Sequence, residues 1–150
     1  MLVKVKPVQF EISKIDVAAH QLDWAIRLFL DHKDYIPAIT LAGAAEEILG
    51  KAVGAGAIYE TLKKKFASQF PLTEKEVSQD HLNKARNWLK HWDGRTNTET
   101  VCLELDKEAI QYIVRALANL ATHDGSQPSE GPRFSAWISE NGMWPEASEP

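Results

Sequence analysis

Three observations predict an all-α protein, an up-and-down four-helix bundle with one extra short helix. Four long segments carry apolar residues at helical spacing, start and stop signals mark off each of them, and period-two alternation is confined to residues 2–12 and 101–105. Apolar residues three and four apart line one face of a helix, whereas a strand repeats every two. The chain's 150 residues suffice for one domain with its own core. With 44% hydrophobic and 25% charged residues, the composition is that of an ordinary soluble globular chain.

Residues 2–12 alternate loosely, with Val3 and Val5 against Lys4 and Lys6, and read as an extended arm interrupted by Pro7. Ser13 and Asp16 then make a helix start. Ile15, Ala19, Leu22, Ile26 and Phe29 recur at four-three-four-three spacing and predict a first helix ending near residues 31–33. Asp34 and Pro37 open the second, where proline near the first helical position removes no intrahelical N–H bond. Its Ala38, Ala42, Gly43, Ala44 and Ala45 are small enough to let a neighbouring helix come close, which places it centrally. Leu41, Ala45, Ile48 and Ala52 form its predicted core stripe, and Gly54 and Gly56 end it.

Ile58, Leu62, Phe66 and Phe70 predict a shorter helix over 57–70, with Lys63, Lys64 and Lys65 as a solvated face and Pro71 as its breaker. A polar loop at 93–99 leads to Val101, Leu103 and Leu105, alternating with Cys102 and Glu104. That short strand could pair with the N-terminal arm in a two-stranded β ribbon. Asp106 caps the last long helix, with Ile110, Ile113, Val114, Leu117, Leu120 and Ala121 as its core stripe and Gly125 as its stop. The bundle thus spans 1–125. Residues 126–150 are a Pro/Ser/Gly/Glu-rich tail in which Phe134, Trp137, Ile138 and Trp144 can pack on the bundle or a partner, and 145–150 read as disordered.

Residues 73–94 hold the most completely specified helix. Thr73 can cap it, Glu76 can close a capping box, and Leu72 can staple onto Val77. Lys90 and His91 suit its last turn and Gly94 its stop. At roughly 100° per residue, Leu82, Ala85, Leu89 and Trp92 share a core stripe, with His81 and Trp88 at its edge. Asn83, Arg86, Asn87, Lys90 and His91 fall on the opposite arc, away from that core. Such a face is either solvated surface, its last-turn cations favoured by the helix dipole, or a site.

The pattern Arg86-Asn87-x-x-x-His91 resembles the Arg-polar-x3-His motif of the HEPN superfamily, small helical bundles of which many are metal-independent endoribonucleases. A second Arg-x4-His, from Arg27 to His32, has Leu28 in place of the polar residue and lies in the first helix, so it fits the family poorly. Residues 44–52 (AAEEILGKA) also look like the second helix common in that superfamily, with Glu47 and Lys51 matching its Glu-x3-Lys spacing. The resemblance implies a toxin- or defence-type ribonuclease that works as a homodimer on RNA. Arg86, Asn87 and His91 would be catalytic and Glu47 and Lys90 supporting, with no cofactor or metal, and with an antitoxin or nucleotidyltransferase as partner. It also admits a non-catalytic module that binds a nucleotide, RNA or a protein.

The residue types suit that chemistry. Histidine titrates near neutrality, at about 6.5 when unperturbed, and arginine's planar fork donates two hydrogen bonds to a phosphate. Attack of an RNA 2′-OH on its own phosphate, assisted by His91 and stabilised by Arg86, would leave a 2′,3′-cyclic phosphate and a 5′-OH. On one continuous helix Arg86 and His91 stand roughly 7.5 Å apart along the axis and about 140° apart around it. A two-fold dimer would bring two copies into one groove.

Other classes are disfavoured. The net charge of −4 argues against a broad electrostatic grip on nucleic acid, although a dimer would double Lys84, Arg86, Lys90 and His91 in one place. His20, His32, His81 and His123 are scattered and no Glu-x-x-His pair exists, so no metal site is predicted. Gly50, Gly54 and Gly56 follow a helix instead of a strand and read as a helix stop, not a phosphate loop. One cysteine, no membrane-length apolar run and no signal-like N-terminus make a cytoplasmic location the expectation.

Overall fold

The structure, a computed structural model, describes residues 5–69, 73–76, 82–92 and 100–141. Those residues form an all-α fold of six helices: α1 (Lys14–Arg27), α2 (Tyr35–Val53), α3 (Ile58–Gln69), α4 (Lys84–Lys90), α5 (Leu105–Asp124) and α6 (Gly131–Glu140), with Glu74–Glu76 also helical. None of the described residues is in a strand, so the expected ribbon does not form among them. Residues 101–104 lead directly into α5, and Val5, Val8, Phe10 and Ile12 of the arm stand exposed. No helix among the described residues is long and apolar enough to cross a membrane. The Leu72–Val77 staple, Phe70, Pro71, His81, Gly94 and Trp144 lie outside the described residues.

The α1 start is as its sequence prescribes. The Ser13 hydroxyl accepts from the Asp16 backbone N–H at 3.0 Å and donates to the Asp16 carboxylate at 2.7 Å, satisfying a donor the first turn would leave open. The helix ends in a wide π turn, Leu28–His32, closed by the Asp34 N–H on the Leu28 carbonyl at 3.0 Å, with Lys33 in the left-handed region. That turn feeds α2.

The central position expected for α2 is observed, since it packs on both α1 and α5 and carries α4 across its middle. Its buried face is Ala38, Ile39, Ala42, Gly43, Ala45, Glu46 and Leu49. The predicted stripe is displaced: Ala52 is exposed and Leu41 and Ile48 are half-buried. Neighbours on several sides bury a broader arc than a single amphipathic stripe describes. The α5 start also shifts, to Leu105, with Glu104 at the cap position and Asp106 in the first turn. Its buried face is Ala109, Tyr112, Ile113, Arg115, Ala116, Asn119 and Leu120, whereas Ala121 is exposed. Gly125 ends it at φ 75°, a conformation that suits glycine.

Within the 126–150 segment, α6 joins the same core. Phe134 and Ile138 are buried with Phe29 and the α1 residues, and Trp137 packs against them. The Phe29 ring meets Tyr35 at 5.3 Å, Phe134 at 5.7 Å and Trp137 at 4.9 Å between centroids. Polar contacts fix the helix start: the Glu130 N–H donates to Asp23 at 2.8 Å, and Arg133 forks onto Asp31 at 2.5 and 2.9 Å. The Arg133 hydrogen bonds hold the Asp31 carboxyl below the usual carboxylate range.

Candidate functional site around Arg86

The expected long helix over 73–94 is not continuous. Asn83 forms a bend immediately before α4, between it and helical Leu82, and residues 77–81 lie outside the described residues. Side chains from other helices explain that start. The Tyr112 hydroxyl of α5 donates to the Leu82 carbonyl at 3.0 Å and accepts from the Arg86 backbone N–H at 3.3 Å, so it caps an orphan donor in the first turn of α4. Burial holds the Tyr112 phenol above its usual range, with the Arg86 N–H acting against it. The phenol therefore stays protonated as the donor this arrangement requires.

Arg115, one turn further along α5, completes the clamp. Its Nη1 donates to the Leu82 carbonyl at 2.9 Å and its Nη2 to Asn83 Oδ1 at 3.2 Å. The Asn83 amide donates to the Tyr59 hydroxyl at 3.2 Å, and the Arg115 guanidinium lies over the Tyr112 ring at 4.8 Å, a favourable cation–π position. A turn beyond that, Asn119 Oδ1 accepts from the Ile58 N–H at 2.9 Å and anchors the start of α3. Three polar residues of α5 thus place the beginnings of α3 and α4.

Arg86 sits where α4 meets α2. Its Nη1 donates to the Gly43 carbonyl at 3.3 Å, pairs with Glu46 Oε2 at 3.2 Å and lies 3.9 Å from Glu47. The same Glu46 oxygen is 3.2 Å from Arg115 Nη2, so one buried carboxylate serves two guanidinium groups. This corrects the expected donor face. Asn83 is buried and the Arg86 side chain is only 14% exposed, because Arg86 faces Gly43 and Glu46 of α2 and Asn83 is held by Tyr59 and Arg115. Trp92, expected on the core stripe, is 87% exposed.

The remaining predicted site residues are placed as follows. Asn87 is half-buried, and its carbonyl accepts from the His91 N–H at 3.0 Å. Lys90 and His91 are exposed, and His91 ends α4 in an extended backbone conformation at φ −127°. A helical wheel therefore does not describe the relation of His91 to Arg86. Glu47 pairs with Lys51 at 3.2 Å. The Lys51 ammonium holds its carboxyl below the usual range, with Arg86 and Lys90 adding to the effect. Among the described residues no group of three His, Cys, Asp or Glu side chains is placed to hold a metal ion.

Sequence reasoning missed Glu46, Tyr112, Arg115 and Asn119. A signal was present in α5, where Arg115 and Asn119 interrupt the cleanest apolar segment four residues apart. Polar groups at core positions require partners there.

Beside Arg86 opens a cavity of about 490 Å³, lined among others by Glu46, Glu47, Tyr59, Lys64 and Asn83. Gly43 makes the approach of Arg86 possible, since a Cβ there would stand 2.6 Å from Arg86 Cδ and 3.0 Å from its Cγ. The Arg86 stem is pinned at its far end by Glu46, so Gly43→Ala should displace the guanidinium and cost about 1–3 kcal/mol through overpacking. Urea unfolding measures this, and a variant as stable as wild type would show that Arg86 can be held elsewhere.

No protein-family model, curated protein or solved structure matches this chain.

Proposed function

We propose that the protein is a HEPN-like, metal-independent endoribonuclease that works as a two-fold dimer, the four-helix bundle plan of that superfamily being the finer description of its all-α fold. The observation that supports this reading best is the clamp on Arg86. Buried Glu46 and neighbouring Glu47, both on the second helix, hold the motif arginine, as the superfamily's second-helix acid does for its catalytic arginine. Arg86 Nη1 makes these contacts, and a guanidinium fork carries further donors of the kind that bind a phosphate. His91 and Trp92 are exposed at the end of the same helix, where a second copy could face them.

In this reading His91 takes the proton from the RNA 2′-OH as its oxygen bonds to phosphorus. The P–O5′ bond breaks, and the departing oxygen is protonated by His91 of the second copy. Arg86 stabilises the charge gathered on the phosphate oxygens, Asn87 orients groups in the cleft, and Lys90 and Glu47 set its local charge. A toxin or defence role, with an antitoxin or nucleotidyltransferase partner in the cytoplasm, would follow from the same resemblance.

The test is cleavage of mixed RNA in EDTA by wild type and by His91→Ala. Because His91 is exposed, the substitution should leave stability within about 0.5 kcal/mol. It should slow cleavage at least about 100-fold, the usual contribution of a proton-transfer residue, with cyclic phosphate ends from the wild type alone. Equal cleavage by both proteins would overturn the reading. Absence of cleavage by a folded wild-type dimer would favour a non-catalytic module for nucleotide, RNA or protein, a second reading supported by the low exposure of Arg86.

A further inference from the structure

The cavity beside Arg86 has a charge balance of its own. It is bounded by the end of α2, the Gly54–Gly56 turn, the start of α3 and the start of α4. Its walls carry three acids, Glu46, Glu47 and Glu60, and three cations, Lys51, Lys64 and Arg86. Two further cations neutralise wall acids from outside: Lys63 pairs with Glu60 at 3.0 Å and Arg115 with Glu46 at 3.2 Å. Beyond these, Glu74 lies 3.8 Å from Lys63 and Lys90 acts on Glu47, one added charge of each sign. Among these described residues the cations exceed the acids by two.

A dianion matches that excess. A phosphate monoester carries about −1.5 to −2 charges at neutral pH, whereas a single carboxylate supplies only one. The walls also include Ala57, Tyr59 and Glu60 at the beginning of α3, a twelve-residue helix whose positive end favours an anion. Gly54 and Ala55 bring small residues to the rim, and a Cβ on Gly54 would meet nothing within 4 Å, so a ligand can approach the backbone. The volume, about 490 Å³, falls in the range of small-molecule sites, about 300–1,000 Å³. A lone phosphate ion would leave most of it unfilled.

We propose that this cavity binds a phosphate monoester carried on a small polar body, a sugar phosphate or a mononucleotide, with Lys64 and Arg86 holding the phosphate and the first turn of α3 facing it. The inference does not depend on RNA cleavage. Lys64 is exposed and outside the core, so it can be changed without loss of the fold. Lys14, exposed at the start of α1, is outside the cavity lining and provides the same charge change elsewhere.

Isothermal titration calorimetry with ribose 5-phosphate, a nucleoside 5′-monophosphate, inorganic phosphate and the unphosphorylated nucleoside tests this on wild type, Lys64→Glu and Lys14→Glu. One saturable site per chain is expected for at least one ester, with no binding of the nucleoside. Lys64→Glu should weaken the ester about tenfold or more, the scale of a lost charge-assisted contact, and Lys14→Glu should leave it unchanged. The preferred ester identifies the body the cavity takes. Absence of saturable ester binding, binding of inorganic phosphate as tight as either ester, or equal weakening by both substitutions would overturn the proposal. Because the measurement involves no RNA, its failure is distinguishable from that of the ribonuclease reading.

Discussion

Glu46→Ala is expected to destabilise the protein by about 3–5 kcal/mol, the cost of removing one partner from a buried ion pair. Glu46 is 3% exposed, and one of its oxygens stands 3.2 Å from both Arg86 Nη1 and Arg115 Nη2. Without that carboxylate, two guanidinium groups from α4 and α5 face each other against α2, and Arg115, 2% exposed, cannot turn to water. Glu46→Gln separates charge from shape, since it keeps an acceptor but removes the negative charge, and it should lie between Glu46→Ala and wild type. Glu47→Ala is the control: the Glu47 side chain is 40% exposed and pairs with Lys51 on the surface, so its loss should cost at most about 1 kcal/mol. Urea midpoints at constant slope decide the matter. Equal midpoints for Glu46→Ala and Glu47→Ala would mean that the buried network does not hold the fold.

Phe29→Ala should cost a similar amount, about 3–5 kcal/mol. Phe29 is 2% exposed and lies amid Tyr35, Phe134 and Trp137. Phe134 and Trp137 stack on each other at 6.2 Å, so removal of the Phe29 ring leaves a cavity beneath α6 that those two rings cannot both fill. Trp137 should then become more accessible to a fluorescence quencher at urea concentrations below the main unfolding transition. Trp24→Ala, which removes a 44% exposed ring, should cost clearly less. If the two variants unfold together, α6 is held by its polar contacts to Asp23 and Asp31 instead of by the aromatic cluster.

Short-range chemistry was legible in the amino-acid order. The Ser13–Asp16 start, the Gly54 and Gly125 stops and the small-residue stretch in α2 each depend on a few neighbouring residues, and a side chain that bonds its own backbone does so in any tertiary setting. The tail aromatics also declared an apolar need, and Phe134 and Ile138 are buried in the main core. Arg86, the motif arginine, lines the cavity between α2, α3 and α4.

What failed was whatever depended on more than one neighbour. The helix expected over 73–94 is interrupted at Asn83, and α4 begins at Lys84, where Tyr112 and Arg115 seize the Leu82 carbonyl from a distance of some thirty residues in sequence. A helical wheel assigns inside and outside by a single partner. Leu82 and Ala85 of the predicted stripe are buried as expected, but Asn83 and Arg86, read on the opposite arc, are also held inward by α2, α3 and α5, and Trp92 is left in solvent.

By itself the sequence determined an all-α protein, most of its helix ends and the presence of an arginine–histidine pair late in the chain, because those rest on periodicity and local hydrogen bonding. Only the tertiary structure decided that Glu46, not Glu47, is the buried partner of Arg86, and that α5 supplies the second guanidinium. Adjacent residues on a helix point about 100° apart, so the identity of the buried carboxylate depends on the direction from which α4 and α5 arrive.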